Sequence, residues 1–155
     1  MKNLLHYRSD KFEEVFFALK EKDEDSLKSL FSQNTVESDP EFDEKISELV
    51  EFIKGTPVSY DKDDCTEYSH TEKDDGKYSE GYGCSYDIET TEDTYRIAFF
   101  YYSQNTFDPK EIGIISFHII RGADDPNYPM YIYWGDGTWN PGIHFNVYYV
   151  NEEDG

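Results

Sequence analysis

Basic side chains, long apolar runs and cysteines are all scarce in this 155-residue chain, and each scarcity removes a class of function. Fourteen Lys and Arg face 34 Asp and Glu, a formal charge of −20. A surface so charged repels nucleic acid phosphates and anionic membranes before any specific contact forms, so nucleic acid is not an expected partner. No run approaches the roughly 18 apolar residues of a membrane span. The opening "MKNLLHYRSD" has too short an apolar stretch for a signal peptide. The chain as given therefore reads as soluble, with an export signal removed upstream as an open alternative. Cys65 and Cys84 are the only cysteines and form no C-x-x-C pair, so zinc and thiol redox chemistry have little support. No catalytic signature is present, and no metal or cofactor is expected.

What is present is a chain of two halves, with a length that predicts a single domain over 1–155. Residues 1–93 hold 26 of the 34 acidic side chains, whereas residues 94–150 hold 15 of the 27 aromatic ones. The second half should supply most of the core. In the first half, Phe12, Val15, Phe16 and Leu19 mark one face of a helix with Ser9 as N-cap, leaving 1–8 as a flexible leader. Asp23 can cap a short second helix that buries Leu27, Leu30 and Phe31. A third has Asp39 as cap, Pro40 in its first turn, an apolar stripe of Phe42, Ile46, Leu49, Val50 and Ile53, and Gly55 as terminator.

From residue 58 the pattern turns to strands. Tyr82, Cys84, Tyr86 and Ile88 alternate with Gly83, Ser85, Asp87 and Glu89, a half-buried strand. "TYRIAFFYYS" and "EIGIISFHIIR" are apolar on both faces, as central strands are, and "PMYIYW" and "IHFNVYY" read as a last pair. Between these, Asp136-Gly137 suits a tight hairpin turn, and a lone Asp136 lacks the neighbouring oxygen ligands of a calcium loop. The polar segment 61–81 reads as a mobile hairpin loop or an extended arm. Its Asp61, Asp63, Asp64, Asp74 and Asp75 are read as a solvated charge run rather than a weak cation site. If Tyr60 faces Glu89 or a near neighbour, an antiparallel register brings Cys65 opposite Cys84. A bridge there would close a loop of about 20 residues and, on the chain-entropy model, contribute roughly 3 kcal/mol. In a reducing compartment both would stay thiols.

Helices followed by a strongly curved antiparallel meander make an α+β plan with helices packed on one sheet face. The blocks "FEEVFFALKEKDEDSLKSLFS", "ISELVEFIKGTPVSYD", "YRIAFFYYSQNTFDPKEIGIISFHIIR" and "YWGDGTWNPGI" resemble an uncharacterised domain-of-unknown-function family of predicted bacterial lipoproteins. That family belongs to the nuclear transport factor 2-like, cystatin-like α+β cones. The likeness runs from about Phe12 to Ile143. It implies a cone-shaped fold and an extracytoplasmic location, with the membrane reached only through an upstream lipid anchor outside this chain. It carries no activity and no catalytic residues. A cytoplasmic location is the alternative.

Three functions follow as expectations. The first is a noncatalytic domain that scaffolds or binds a small apolar ligand in the cavity such a cone encloses, reached by Tyr86, Tyr101, His118 and Trp134; the simpler account of each is a core aromatic or a satisfied buried imidazole. The second is an isomerase- or dehydratase-like enzyme with His118 as base and Tyr101 as donor. The third is an acidic, immunity-type interaction domain for a basic protein partner. Relatives of this fold often pair through the outer sheet face, which makes a homodimer a further expectation.

Overall fold

Phe12, Val15, Phe16 and Leu19 lie on one helix face, and all four are buried, because a stripe at this spacing can bury itself only against another apolar surface. The structure, a computed structural model, describes residues 4–72, 74–122 and 141–145. Its helices are α1 (Leu4–Glu21), α2 (Glu24–Ser29), α3 (Gln33–Ser38) and α4 (Phe42–Phe52). Its strands are β1 (Pro57–Glu72), β2 (Lys77–Thr90), β3 (Thr94–Asn105), β4 (Gly113–Arg121) and β5 (Gly142–Phe145). The strands form one sheet in the order β1-β2-β3-β4-β5, which with the preceding helices makes an α+β fold.

The core lies between the helices and one sheet face. From the sheet come Tyr82, Cys84, Tyr86, Ile88, Tyr95, Ile97, Phe99, Phe117 and Ile119; from α4 come Phe42, Ile46, Leu49 and Val50. Phe12 stacks on Tyr86 with ring centroids 3.7 Å apart and meets Tyr60 edge-on. The opposite face, with Ala98, Phe100, Ser116, His118 and Ile120, is buried too. Both central strands thus have two covered faces, as their unbroken apolar runs require.

The helical layer departs from the sequence expectation in three places. Residues 4–8, expected in a leader, belong to α1, and Ser9 sits inside that helix rather than capping it. No Gly or Pro occurs before Pro40, so a helix nucleated by the Phe12–Leu19 stripe propagates freely toward the N-terminus. The six-residue α3, capped by Ser32, was not anticipated, because Thr35 is its one fully buried side chain and gives no periodicity. Asp39 acts one turn early: its carboxylate accepts from the Glu41 N–H at 2.9 Å, and α4 starts at Phe42.

In the sheet, one open expectation is resolved and one is overturned. Residues 61–81, expected as a loop or an arm, form the β1–β2 arm, with Thr66↔Gly83 through Glu72↔Lys77 paired around a turn at Gly76. Backbone hydrogen bonding and β-forming Thr and Tyr make strands here without an apolar face. The sheet is mixed rather than wholly antiparallel, since β5 runs parallel to β4, Ser116↔Gly142 through Ile119↔Phe145. The 20 residues between Arg121 and Gly142 are ample for the crossover that parallel pairing needs. The hairpin at Asp136-Gly137, the strand "PMYIYW" and the residues after Phe145 lie outside the described residues.

Residues 30–32 cover the first part of the β4 edge. Ser32 N–H donates to Ile114 O and Ile114 N–H to Leu30 O, both at 2.9 Å. This strap and β5 lie end to end along one edge of β4. Gly113 lets the strap approach: its φ is +119°, and a β-carbon there would sit 2.8 Å from Ser32 N. Among the described residues no helix is long and apolar enough to cross a membrane.

Candidate functional site

Two interruptions of pairing occur at the same height in the sheet. Ser103 is an extra residue between Glu80↔Gln104 and Gly81↔Tyr102, and Ile115 is an extra residue between Phe100↔Ser116 and Tyr101↔Ile114. Such bulges bend a strand and re-aim its side chains. Beside them, against the middle of α1, opens a cleft of about 550 Å³ whose walls include Lys11, Glu14, Glu80, Tyr101, Tyr102 and Ile112. Its size is within the range of small-molecule sites.

The polar groups of this cleft are held in place. The Tyr78 hydroxyl donates to Glu80 Oε2 and the Ser103 hydroxyl to Glu80 Oε1, each at 2.9 Å. The same Glu80 bond is the main reason the Tyr78 hydroxyl is harder to ionise than an ordinary phenol. Burial, reinforced by the Glu111 charge, does likewise to Tyr102. Lys11 Nζ lies 5.4 Å from the centre of the Tyr101 ring and 3.6 Å from Glu14 Oε2, so a cation already rests on an aromatic face there. The cleft therefore combines a fixed carboxylate, a movable ammonium group and tyrosine faces. It can orient a small polar-aromatic or amphipathic molecule, and among the described residues it contains no imidazole or thiol.

The structure separates the residues singled out from the sequence. Tyr101 is 3% exposed and borders the cleft. Tyr86 is packed under Phe12, its hydroxyl 3.8 Å from Cys65 Sγ. His118 is buried and points away from both: it pairs with Ala98, whereas its neighbour Phe117 meets Phe99 on the helix-covered face. The His118 Nε2 is 3.1 Å from Ser116 Oγ, and its ring stacks on His144 at 4.6 Å. His118 and Tyr101 thus lie on opposite faces of the sheet and do not form a base–donor pair. Trp134 lies outside the described residues. Among the described residues no three acidic, His or Cys side chains gather as a metal site.

Cys65 faces Cys84 in the register, and the two are joined by a disulfide with Cα atoms 4.1 Å apart. The bridge ties the exposed edge strand to the core three residues from the Gly81–Tyr102 pair.

Lys11, Glu80, Tyr102 and Ser103 are among the cleft residues that sequence reasoning missed. Tyr78, Glu80 and Tyr82 continue the alternation of β2, a signal that could have found Glu80. Nothing in the sequence marks the bulge that brings Ser103 to it.

Residues 14–122 match the model of the family described as "Domain of unknown function (DUF5104)". The chain belongs to that family. The DUF5104 match runs from Glu14 in α1 through β4 and includes Glu80, Tyr101 and Tyr102, while Lys11 precedes it. No curated protein matches this chain. The family's description assigns no activity to the DUF5104 domain, so a function has to be argued from the cleft itself.

Proposed function

We propose that this DUF5104 domain is a noncatalytic binding module that takes a small ligand in the cleft between α1 and the bulged end of β2–β3. The observation that carries the reading is the carboxylate of Glu80, fixed by Tyr78 and Ser103 beside the half-buried Tyr102. Oriented polar groups on an aromatic wall give direction and specificity to a bound molecule. An isomerase-like reaction needs a base facing the donor, and His118 faces the other side of the sheet. The reading extends to a nuclear transport factor 2-like cone carried by a bacterial cell-surface lipoprotein. The order of helices before the sheet supports the first part. The Cys65–Cys84 bridge supports an oxidising compartment such as the outside of the cell.

The test is a fragment screen read by amide NMR shifts. Hits should move Tyr101, Tyr102 and Gln104 in a saturable way and lose most of their affinity in Glu80→Gln. Hits that bind the variant as well as the parent, or that move only residues elsewhere, would reject the cleft as the site.

A further inference from the structure

Phe17 is 52% exposed, and among the described residues it is the one large apolar side chain of the helical layer left in solvent. Its ring meets the buried Phe16 edge-on, centroids 6.0 Å apart, so it is braced rather than loose. Phe17, Ala18 and Leu30 form the apolar floor of a groove of about 340 Å³ between α1 and α2. Glu14, Glu21 and Asp23 supply its charges, and among the described residues no Lys or Arg lines it. Glu14 and Glu21 stand three residues before and four after Phe17, the positions that flank it on the same helix face. Lys20, three residues after Phe17 on α1, and Lys22, just past the end of α1, do not line the groove, and Lys11 draws on Glu14 from its far side at 3.6 Å.

We infer that this groove docks an arginine-bearing segment of a basic protein partner. A guanidinium lies flat on an aromatic ring and forks its donors to carboxylates at the ring's edge, which an ammonium cannot do. The groove presents those two elements, an oriented ring and three carboxylates around it, on a molecule of charge −20 that attracts basic proteins from a distance. Ala18 and Leu30 accept the apolar neighbours of the arginine. The Asp23 carboxylate stays in place because it caps α2, accepting from both the Ser26 N–H and its hydroxyl. The groove shares Glu14 with the cleft proposed above, but the inference stands without that cleft.

The experiment titrates the intact protein with a capped Leu-Arg-Leu-Arg-Leu peptide and with its lysine counterpart, read by amide NMR. Saturable shifts centred on Ala18, Asp23, Ser26 and Leu30 are expected, with the arginine peptide at least about threefold tighter than the lysine one. Phe17→Ala and the pair Glu14→Gln/Glu21→Gln should each weaken it at least about fivefold, and Phe17→Trp should retain it. Because these side chains are exposed, an unchanged thermal midpoint will show that the variants are folded. Several outcomes overturn the proposal: no saturable shift, equal affinity for both peptides, no loss in Phe17→Ala, or an equal loss in the control pair Glu44→Gln/Glu48→Gln on α4. A Phe17-dependent dimer in sedimentation would assign the groove to a second copy of the chain and overturn it too.

Discussion

Lys22 holds a conformation that a side chain disfavours. Its φ is +56°, and it is the one non-glycine residue with positive φ among the described residues. The reason is the end of α1: Asp23 N–H returns to Ala18 O at 2.9 Å and Lys22 N–H to Leu19 O at 3.2 Å, a Schellman stop whose turning residue is normally glycine. Lys22→Gly should therefore stabilise the protein by about 0.5–1 kcal/mol in urea unfolding. No gain would mean that the lysine makes compensating contacts or that glycine loosens the unfolded chain by an equal amount. This stop is illegible in the sequence, because "KEKDED" has neither Gly nor Pro. The start of α2 one residue later is legible, since Asp23 is a good cap and binds Ser26 as a cap should.

Among the elements, the β1–β2 arm depends most on a single link. Most of β1 is exposed, and it has β2 as its one sheet neighbour among the described residues. The disulfide fastens it at Cys65. Replacing both cysteines by serine should lower stability by roughly 3 kcal/mol, since the bridge closes a loop of about 20 residues. Amide exchange should then speed up in 66–72 and 77–80 before it does in β3 and β4. Uniform acceleration across the sheet would show instead that the arm and the core open as one unit. The cysteine pairing was expected from Tyr60 facing Glu89 or a near neighbour; Tyr60 in fact faces Ile88, and a register shift between Lys62 and Asp64, which leaves no mark in the sequence, is what brings Cys65 opposite Cys84. The outer arm was not readable as strand, because solvent bathes both its faces and its side chains need not alternate. The cleft suffered from the same limit. Tyr101 stood out as an aromatic in a strand, but its partners Lys11 and Glu80 reach the cleft through tertiary packing and two bulges that leave no periodic mark.

At the scale of the molecule, helices and sheet are tied by Tyr95. It is fully buried, and its hydroxyl accepts from Lys54 N–H at 2.8 Å while donating to Phe52 O at 3.3 Å, binding the end of α4 to β3. Burial raises its pKa above the ordinary 10.0. A raised phenol pKa means the folded state favours the protonated form. The resulting stability is complete below pH 10 and is lost as pH climbs through the folded value. The difference in unfolding free energy between the parent and Tyr95→Phe should accordingly be constant from neutral pH to about 10 and shrink above it. A difference that stays constant into strong alkali would show that this hydroxyl does not link the layers through its proton. The α+β class and the core were legible at this scale, because the stripes of α1 and α4 and the long apolar strands each demand a partner surface. The parallel return of β5 was not, because pairing direction depends on the path of a connection rather than on the composition of a strand.

The edge of β4 has an implication for how the chain is made. Its first part is closed by residues 30–32, which leave the ribosome long before β4 does, and Ser116 to Ile119 by residues 142–145, which follow it. An emerging chain can dock the strap at Ile114 as soon as β4 is free. The backbone groups of Ser116 to Ile119 must then wait some twenty residues of synthesis, about one to four seconds at common elongation rates, before their partner strand arrives. During that interval the open half of the strand is the part of this fold most exposed to pairing with a neighbouring nascent chain.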